Sequence, residues 1–151
     1  MEISLASAGA RADCERLLRD LPAWFGIESA LLQYAADSEA YPTLFATESS
    51  APVGFVTVRQ HFEHSFEVHC MAVQASQRRR GLGMALLRAA ESWAQRRGGR
   101  FMQVKTIASN HPSPEYAETR AFYVKAGYTP LEEFPLLWSQ SNPCLQLVKA
   151  L

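Results

Sequence analysis

Residues 77–84 read Gln77-Arg78-Arg79-Arg80-Gly81-Leu82-Gly83-Met84. Upstream, Val68-His69-Cys70-Met71-Ala72-Val73 suits a buried strand. Downstream, Leu82, Leu86, Ala89, Ala90 and Trp93 recur at helical spacing. A strand, a turn rich in Arg and Gly, and then a helix make an anion site. The first turn of a helix has unpaired N–H groups, and its dipole adds positive potential. Gly81 and Gly83 let a ligand come close to the backbone. The expected guest is a phosphorylated molecule.

Working outward, residues 2–6 read as a first strand. Cys14, Leu17, Leu18 and Leu21 follow the i, i+3, i+4, i+7 pattern of a helix that Pro22 ends. Ile27, Leu31 and Tyr34 indicate a second, short helix. Residues 44–47 and 53–58 read as two strands of a hairpin around Ser49-Ser50-Ala51-Pro52. A turn near Phe62 to Ser65 leads into a strand at 66–73. The helix after Gly81 should stop at Arg96-Arg97-Gly98-Gly99. Residues 101–106 form a strand, and Pro112 and Pro114 open a loop. A helix then runs to Lys125, closed by Gly127. Tyr128 begins another strand, and residues 144–148 make the last. Strand–helix–strand crossovers beside N-terminal hairpins predict a mixed α/β sheet.

A chain of 151 residues, with no repeat or linker, predicts one domain over residues 1–151. Hydrophobic residues are 48% and charged residues 20%, an ordinary globular composition. No apolar stretch spans a bilayer, and the N-terminus lacks a secretion signal, so a cytoplasmic protein is expected. Cys14, Cys70 and Cys144 are odd in number and far apart, which fits reduced thiols. Charge is unevenly placed. Residues 1–77 hold four Arg and ten Asp/Glu, whereas residues 78–100 hold seven Arg and one Glu. The acidic half suggests a cationic substrate and the basic segment an anion. Nucleic-acid binding through Arg78–Arg80 is disfavoured. No second basic cluster with interleaved aromatics accompanies them, and net charge is zero.

The turn fits neither of two common phosphate cradles. A nucleotide P-loop needs Lys after its last Gly, and Leu86 stands where a dinucleotide fingerprint needs Gly or Ala. What remains is Arg78-x-x-Gly81-x-Gly83 between strand and helix. Ala121-Phe122-Tyr123-Val124-Lys125-Ala126-Gly127-Tyr128 supplies a second signature, a Tyr followed four residues later by Gly and an aromatic. With Val53-Gly54 in a third strand, the whole chain resembles the GNAT superfamily of acyl-CoA-dependent N-acetyltransferases. The resemblance implies a mixed, mostly antiparallel sheet splayed between strands 4 and 5 and flanked by about four helices. It implies acetyl-CoA as co-substrate, its pantetheine arm along Met71, Ala72 and Val73. Its pyrophosphate would meet the Arg78–Met84 turn. Arg79, Gly81, Leu82, Gly83 and Met84 would supply backbone there, and Arg78 and Arg80 charge. Dimers are common in the family, so a homodimer is possible. Many members have Asn seven residues before the Tyr, where this chain has Tyr116.

Acyl transfer to an amine needs a base, oxyanion stabilisation and an acid for the leaving thiolate. Tyr123 alone reads as a core tyrosine on an amphipathic helix; the resemblance assigns it the acid role. Glu67 is the first base candidate, as in some family members. Strand alternation places Glu67, His69, Met71 and Val73 on one face, so His69 competes for that role. The same alternation turns Cys70 to the opposite face, away from a nucleophile's position. The resemblance also places Trp24, Phe25 and Trp138 at the acceptor pocket, although core packing is the commoner fate of aromatics. His61, His64, His69 and Cys70 match no zinc spacing, so no metal is expected. Lack of a nucleophile implies direct attack by a primary amine on the thioester. The alternative is a non-catalytic domain that senses acyl-CoA.

Overall fold

The computed structural model describes residues 1–6 and 10–151. Its strands are β1 (Glu2–Leu5), β2 (Thr43–Glu48), β3 (Ala51–Phe62), β4 (Ser65–Val73), β5 (Phe101–Ile107), β6 (Thr129–Ser139) and β7 (Asn142–Ala150). Its helices are α1 (Ala10–Arg19), α2 (Glu28–Ala40), α3 (Leu82–Gln95) and α4 (Pro114–Lys125), with a short 3₁₀ turn at Ala75–Gln77. The strands form a seven-stranded sheet in the order β1-β2-β3-β4-β5-β7-β6. Among these strands only β4 and β5 run parallel, which the crossover through α3 makes possible.

The elements follow from local chemistry. Ser49 and Ser50 both take positive φ, 50° and 66°, the left-handed pair of a two-residue hairpin loop. That turn is tighter than the four-residue span expected, and β3 runs on to Phe62. The second helix is longer than its apolar spacing suggested, thirteen residues from Glu28 to Ala40. Ser113 caps α4, accepting from the Tyr116 N–H at 3.3 Å.

Apolar faces sandwich the sheet. Cys14, Leu17, Leu18 and Leu31 of α1 and α2 pack on Phe45, Phe55, Cys70 and Ala72. Leu82, Leu86, Leu87 and Ala90 of α3 pack on the other face, against Val56, Val58, Phe66 and Val68. β6 is one of the two edge strands, and nearly all of it is exposed. No helix among the described residues is long and apolar enough to cross a membrane.

Two irregularities in β4 shape the sheet around its fourth strand. The first is a parting of strands. β4 and β5 pair only from Ser65–Phe101 to Val68–Val104 and then separate. The expected splay between the fourth and fifth strands is therefore present. The second is a β-bulge. Thr57 pairs with Cys70 but Val58 pairs with Val68, which leaves His69 as an extra residue. Alternation slips there by one. Phe66 and Val68 face α3, and beyond the bulge Met71 and Val73 do so too, while Cys70 and Ala72 face α1 and α2. The expected common face of Glu67, His69, Met71 and Val73 is thus corrected. Cys70 lies on the Glu67 face rather than opposite it, because the bulge inserts one residue between them.

Candidate active site

The splay opens a cleft of about 900 Å³. Its floor is β4 from Val68 to Val73 and β5 from Val104 to Ile107, with α4 and the turn after β4 as walls. Beyond Val68, β4 has no strand on its β5 side among the described residues. Its outward N–H and C=O groups can therefore pair with an extended ligand, as an edge strand does. Met71, Ala72 and Val73 line this stretch.

At the open end stands the Arg–Gly turn. Arg79 and Gly81 take left-handed φ of 62° and 81°. The first helical bond runs from the Ala85 N–H to the Gly81 carbonyl at 3.0 Å. The N–H groups of Leu82, Gly83 and Met84 precede it and belong to the unpaired first turn. Arg78, Arg79, Gly81, Gly83 and Met84 line the cleft. Two residues of the expected set present no side chain there. The Arg80 guanidinium donates to Gln77 Oε1 at 2.6 Å, and the Leu82 side chain is buried in the core. Glu118 of α4 sits 3.2 Å from the Arg79 guanidinium and 3.6 Å from that of Arg78. Glu118 was not foreseen, because it reaches Arg79 from a helix 39 residues further along the chain.

Trp24 lies at this Arg–Gly end of the cleft. Its ring lies under the Arg78 guanidinium, 4.1 Å from ring centre to carbon. Its indole N–H donates to Thr119 Oγ1 at 3.1 Å, and its carbonyl accepts from the Tyr116 hydroxyl at 2.7 Å. The α1–α2 loop is thereby tied to α4 across the cleft. Tyr116 forms half of that tie. Phe25 packs edge-on against Tyr34, with centroids 6.1 Å apart. Trp138 lines the far rim and is 44% exposed.

Deeper in, Tyr123 lines the cleft at 5% exposure, edge-on to Phe122 and Tyr128. Burial pushes its phenol well above the ordinary tyrosine range. Cys70 also lines the cleft, and burial pushes its thiol up as well. A protonated thiol is a poor nucleophile. Cys70 is thus unsuited to attack for a different reason from the one alternation supplied.

The two base candidates differ in surroundings. Glu67 is 6% exposed and fully engaged. His61 Nε2 donates to its Oε1 at 2.7 Å, and the Lys105 ammonium donates to its Oε2 at 2.8 Å. Lys105 lines the cleft, with Glu67 behind it. His69 lines the cleft itself, and its Nε2 meets Asp37 Oδ2 of α2 at 2.7 Å. Tyr34 and Tyr41 hold the imidazole edge-on, with centroids 5.5 and 5.4 Å away. Asp37, Lys105 and His61 were all missed from sequence as partners of the base candidates. His61, His64 and His69 turn to three different partners, Glu67, the Gly98 carbonyl and Asp37.

A second cavity of about 460 Å³ adjoins the cleft, sharing Lys105 and Leu137 with it. His61, Ser65, Gln103 and Gln146 provide its polar wall.

Comparison with known proteins agrees with this geometry. The family model described as the acetyltransferase (GNAT) family matches residues 12–128. No curated protein matches the chain. A GNAT-family protein from Desulfovibrio desulfuricans superposes with a TM-score of 0.81 at 18% identity, over 99% of each chain. An aminoglycoside 6′-N-acetyltransferase complexed with coenzyme A gives 0.78 at 19% identity, over 99% of this chain and 97% of that one. The ribosomal-protein-S18-alanine N-acetyltransferase from Escherichia coli gives 0.74 at 16% identity, over 99% and 94%. At such identities the likeness is one of fold.

Proposed function

The chain belongs to the acetyltransferase (GNAT) family, and on that premise we propose that it moves acetyl from acetyl-CoA directly to a primary amine. The observation that carries this reading is the continuous cleft. It runs from the first turn of α3, along the unpaired edge of β4, to Tyr123 and His69. The residues fit acetyl-CoA along that length. N–H groups of the α3 turn and the Arg78 and Arg79 guanidiniums suit the pyrophosphate. The free edge of Met71–Val73 suits the amide-rich pantetheine arm. Coenzyme A in the related aminoglycoside acetyltransferase supports the same assignment.

The thioester then lies between the Tyr123 phenol and the His69 imidazole. His69 is the better placed base, because it lines the cleft and Glu67 does not. Asp37 fixes the Nε2–H tautomer and leaves Nδ1 as the basic nitrogen. As the amine nitrogen bonds to the carbonyl carbon, His69 accepts its proton. As the C–S bond breaks, the Tyr123 phenol gives its proton to the departing thiolate. Glu67 remains the second candidate, acting through Lys105 and ordered water.

Four measurements test the reading. Acetyl-CoA should raise the melting temperature, and CoA thiol should be released with some member of an amine panel. Initial rates against both substrates should give intersecting lines, the mark of a ternary complex. His69→Gln should lower kcat roughly 10²-fold or more. Glu67→Gln should lower it far less. The reverse pattern would transfer the base role to Glu67. Stabilisation by acetyl-CoA without thiol release from any amine would leave an acyl-CoA-sensing domain.

A further inference from the structure

Charge placement around the acceptor end of the cleft carries an inference about the acceptor, resting on the transfer reading above. The excess of acid in residues 1–77 predicts a cationic acceptor, but most of those acids hold partners within the chain. Asp13 pairs with Arg16, and Glu15 and Glu28 pair with Arg19. Asp20 accepts from the Ala75 N–H, and Glu48 from Gln77. Asp37 faces His69, and Glu67 faces His61 and Lys105. Among the described residues, the only carboxylate lining either cavity is Glu118, which lies at the phosphate end beside Arg78 and Arg79. A polycation entering the acceptor end would lose its water and meet no lining carboxylate to replace it, a costly exchange.

What the acceptor end does offer is hydrogen-bond donors and apolar surface. Lys105 stands where the two cavities join. Its ammonium has three donors, and one is used on Glu67 Oε2. Glu67 cancels its long-range field, so recognition there works by contact, through N–H donation to a nearby oxygen anion. Gln146 donates to Gln103 Oε1 at 2.8 Å, which leaves the Gln103 amide N–H groups for a ligand. Phe62, Leu137 and Trp138 surround this mouth and are 78%, 54% and 44% exposed. Such a cluster of large exposed apolar side chains marks a binding surface. Apolar walls also favour the neutral form of an amine, which is the form that attacks.

We infer that the acceptor is a monoamine with an apolar or aromatic body and a carboxylate, the carboxylate held by Lys105. The test compares acceptors that differ only in that group, using L-phenylalanine and 2-phenylethylamine, with spermidine and kanamycin as polycations. Thiol release should give the carboxylated member a kcat/KM at least about tenfold higher than its partner, as expected for a charge-assisted hydrogen bond, with both polycations slower still. Lys105→Arg should keep that ratio, and Lys105→Met should bring it towards one by raising KM for the carboxylated member. The wild-type ratio decides without any variant. A ratio of one or below, or preference for a polycation, overturns this inference and leaves acetyl transfer standing. Absence of thiol release with all four, and with peptide amines, removes the transfer reading and this inference together.

Discussion

A phenol can protonate a thiolate only if it stays protonated and stays aimed. Burial gives Tyr123 the first property. The second comes from Tyr128, whose ring packs edge-on at 5.6 Å. Tyr128 donates its hydroxyl to Glu91 at 3.0 Å. Glu91 accepts as well from Lys149 and Arg88, and both of those also donate to the Ala126 carbonyl at the end of α4. The proposed acid is thus positioned by an ion cluster that joins α3, β7 and the end of α4. Tyr123→Phe should lower kcat roughly 10²- to 10⁴-fold, with stabilisation by acetyl-CoA retained in a thermal-shift assay. Unchanged turnover would remove Tyr123 from the chemistry. Glu91→Leu leaves the Lys149 ammonium with the Ala126 carbonyl as its remaining acceptor and should cost about 2 kcal/mol of stability. Urea unfolding measures it, and a midpoint equal to wild type would show that the cluster carries no net stability.

At the scale of elements, the turn into α3 sets where the proposed phosphate end lies. Gly81 takes φ +81° in open space, with no atom within 4 Å of where a Cβ would stand. Gly81→Ala is therefore a backbone test alone. Left-handed strain should cost about 1–2 kcal/mol, and the tilted N–H groups should reduce stabilisation by acetyl-CoA beyond that loss. Gly54 differs, because its Cβ would stand 3.0 Å from Leu86 and 3.2 Å from the Ala72 carbonyl. If Gly81→Ala melted as wild type and responded fully to acetyl-CoA, the turn would not be the phosphate cradle. These elements were legible in the sequence because their signals are local. Glycine, arginine and apolar period stand within one strand–turn–helix unit, and Tyr123 stands beside its own Gly127 and Tyr128. The bulge at His69 was not legible, since it arises from how β4 registers against Thr57 and Val58 of β3. Neither was Asp37, which reaches His69 from a helix 32 residues away. Trp24 shows the same limit. Its aromatic character announced a pocket residue, but only the tertiary contacts with Arg78 and Thr119 fix which end it serves.

For the whole molecule, both layers hide weak acids. Cys14, Cys70 and Tyr34 lie between the sheet and α1–α2, while Tyr123 and Tyr128 lie towards α3 and α4. In all five, burial raises the pKa above its ordinary value. Cys14 is pushed from 9.0 to about 11. In the unfolded chain these thiols and phenols ionise at their ordinary values, whereas in the native state they keep their protons. Above pH 9 the unfolded state therefore binds fewer protons than the native state, and stability must fall as pH rises. Below that value both states are protonated and these groups exert no pull. The melting temperature should thus be level from about pH 7 to 8, decline as the thiols begin to ionise in the unfolded chain, and decline faster once the phenols join. Cys14→Ala should shallow the decline between about pH 9 and 10 and leave the steeper phenol-driven part above it. Because one sheet carries both buried layers, circular dichroism and tryptophan fluorescence should report the same midpoint at each pH. A melting temperature that stayed level to about pH 11 would mean that these groups ionise alike in the native and unfolded states, contrary to their burial.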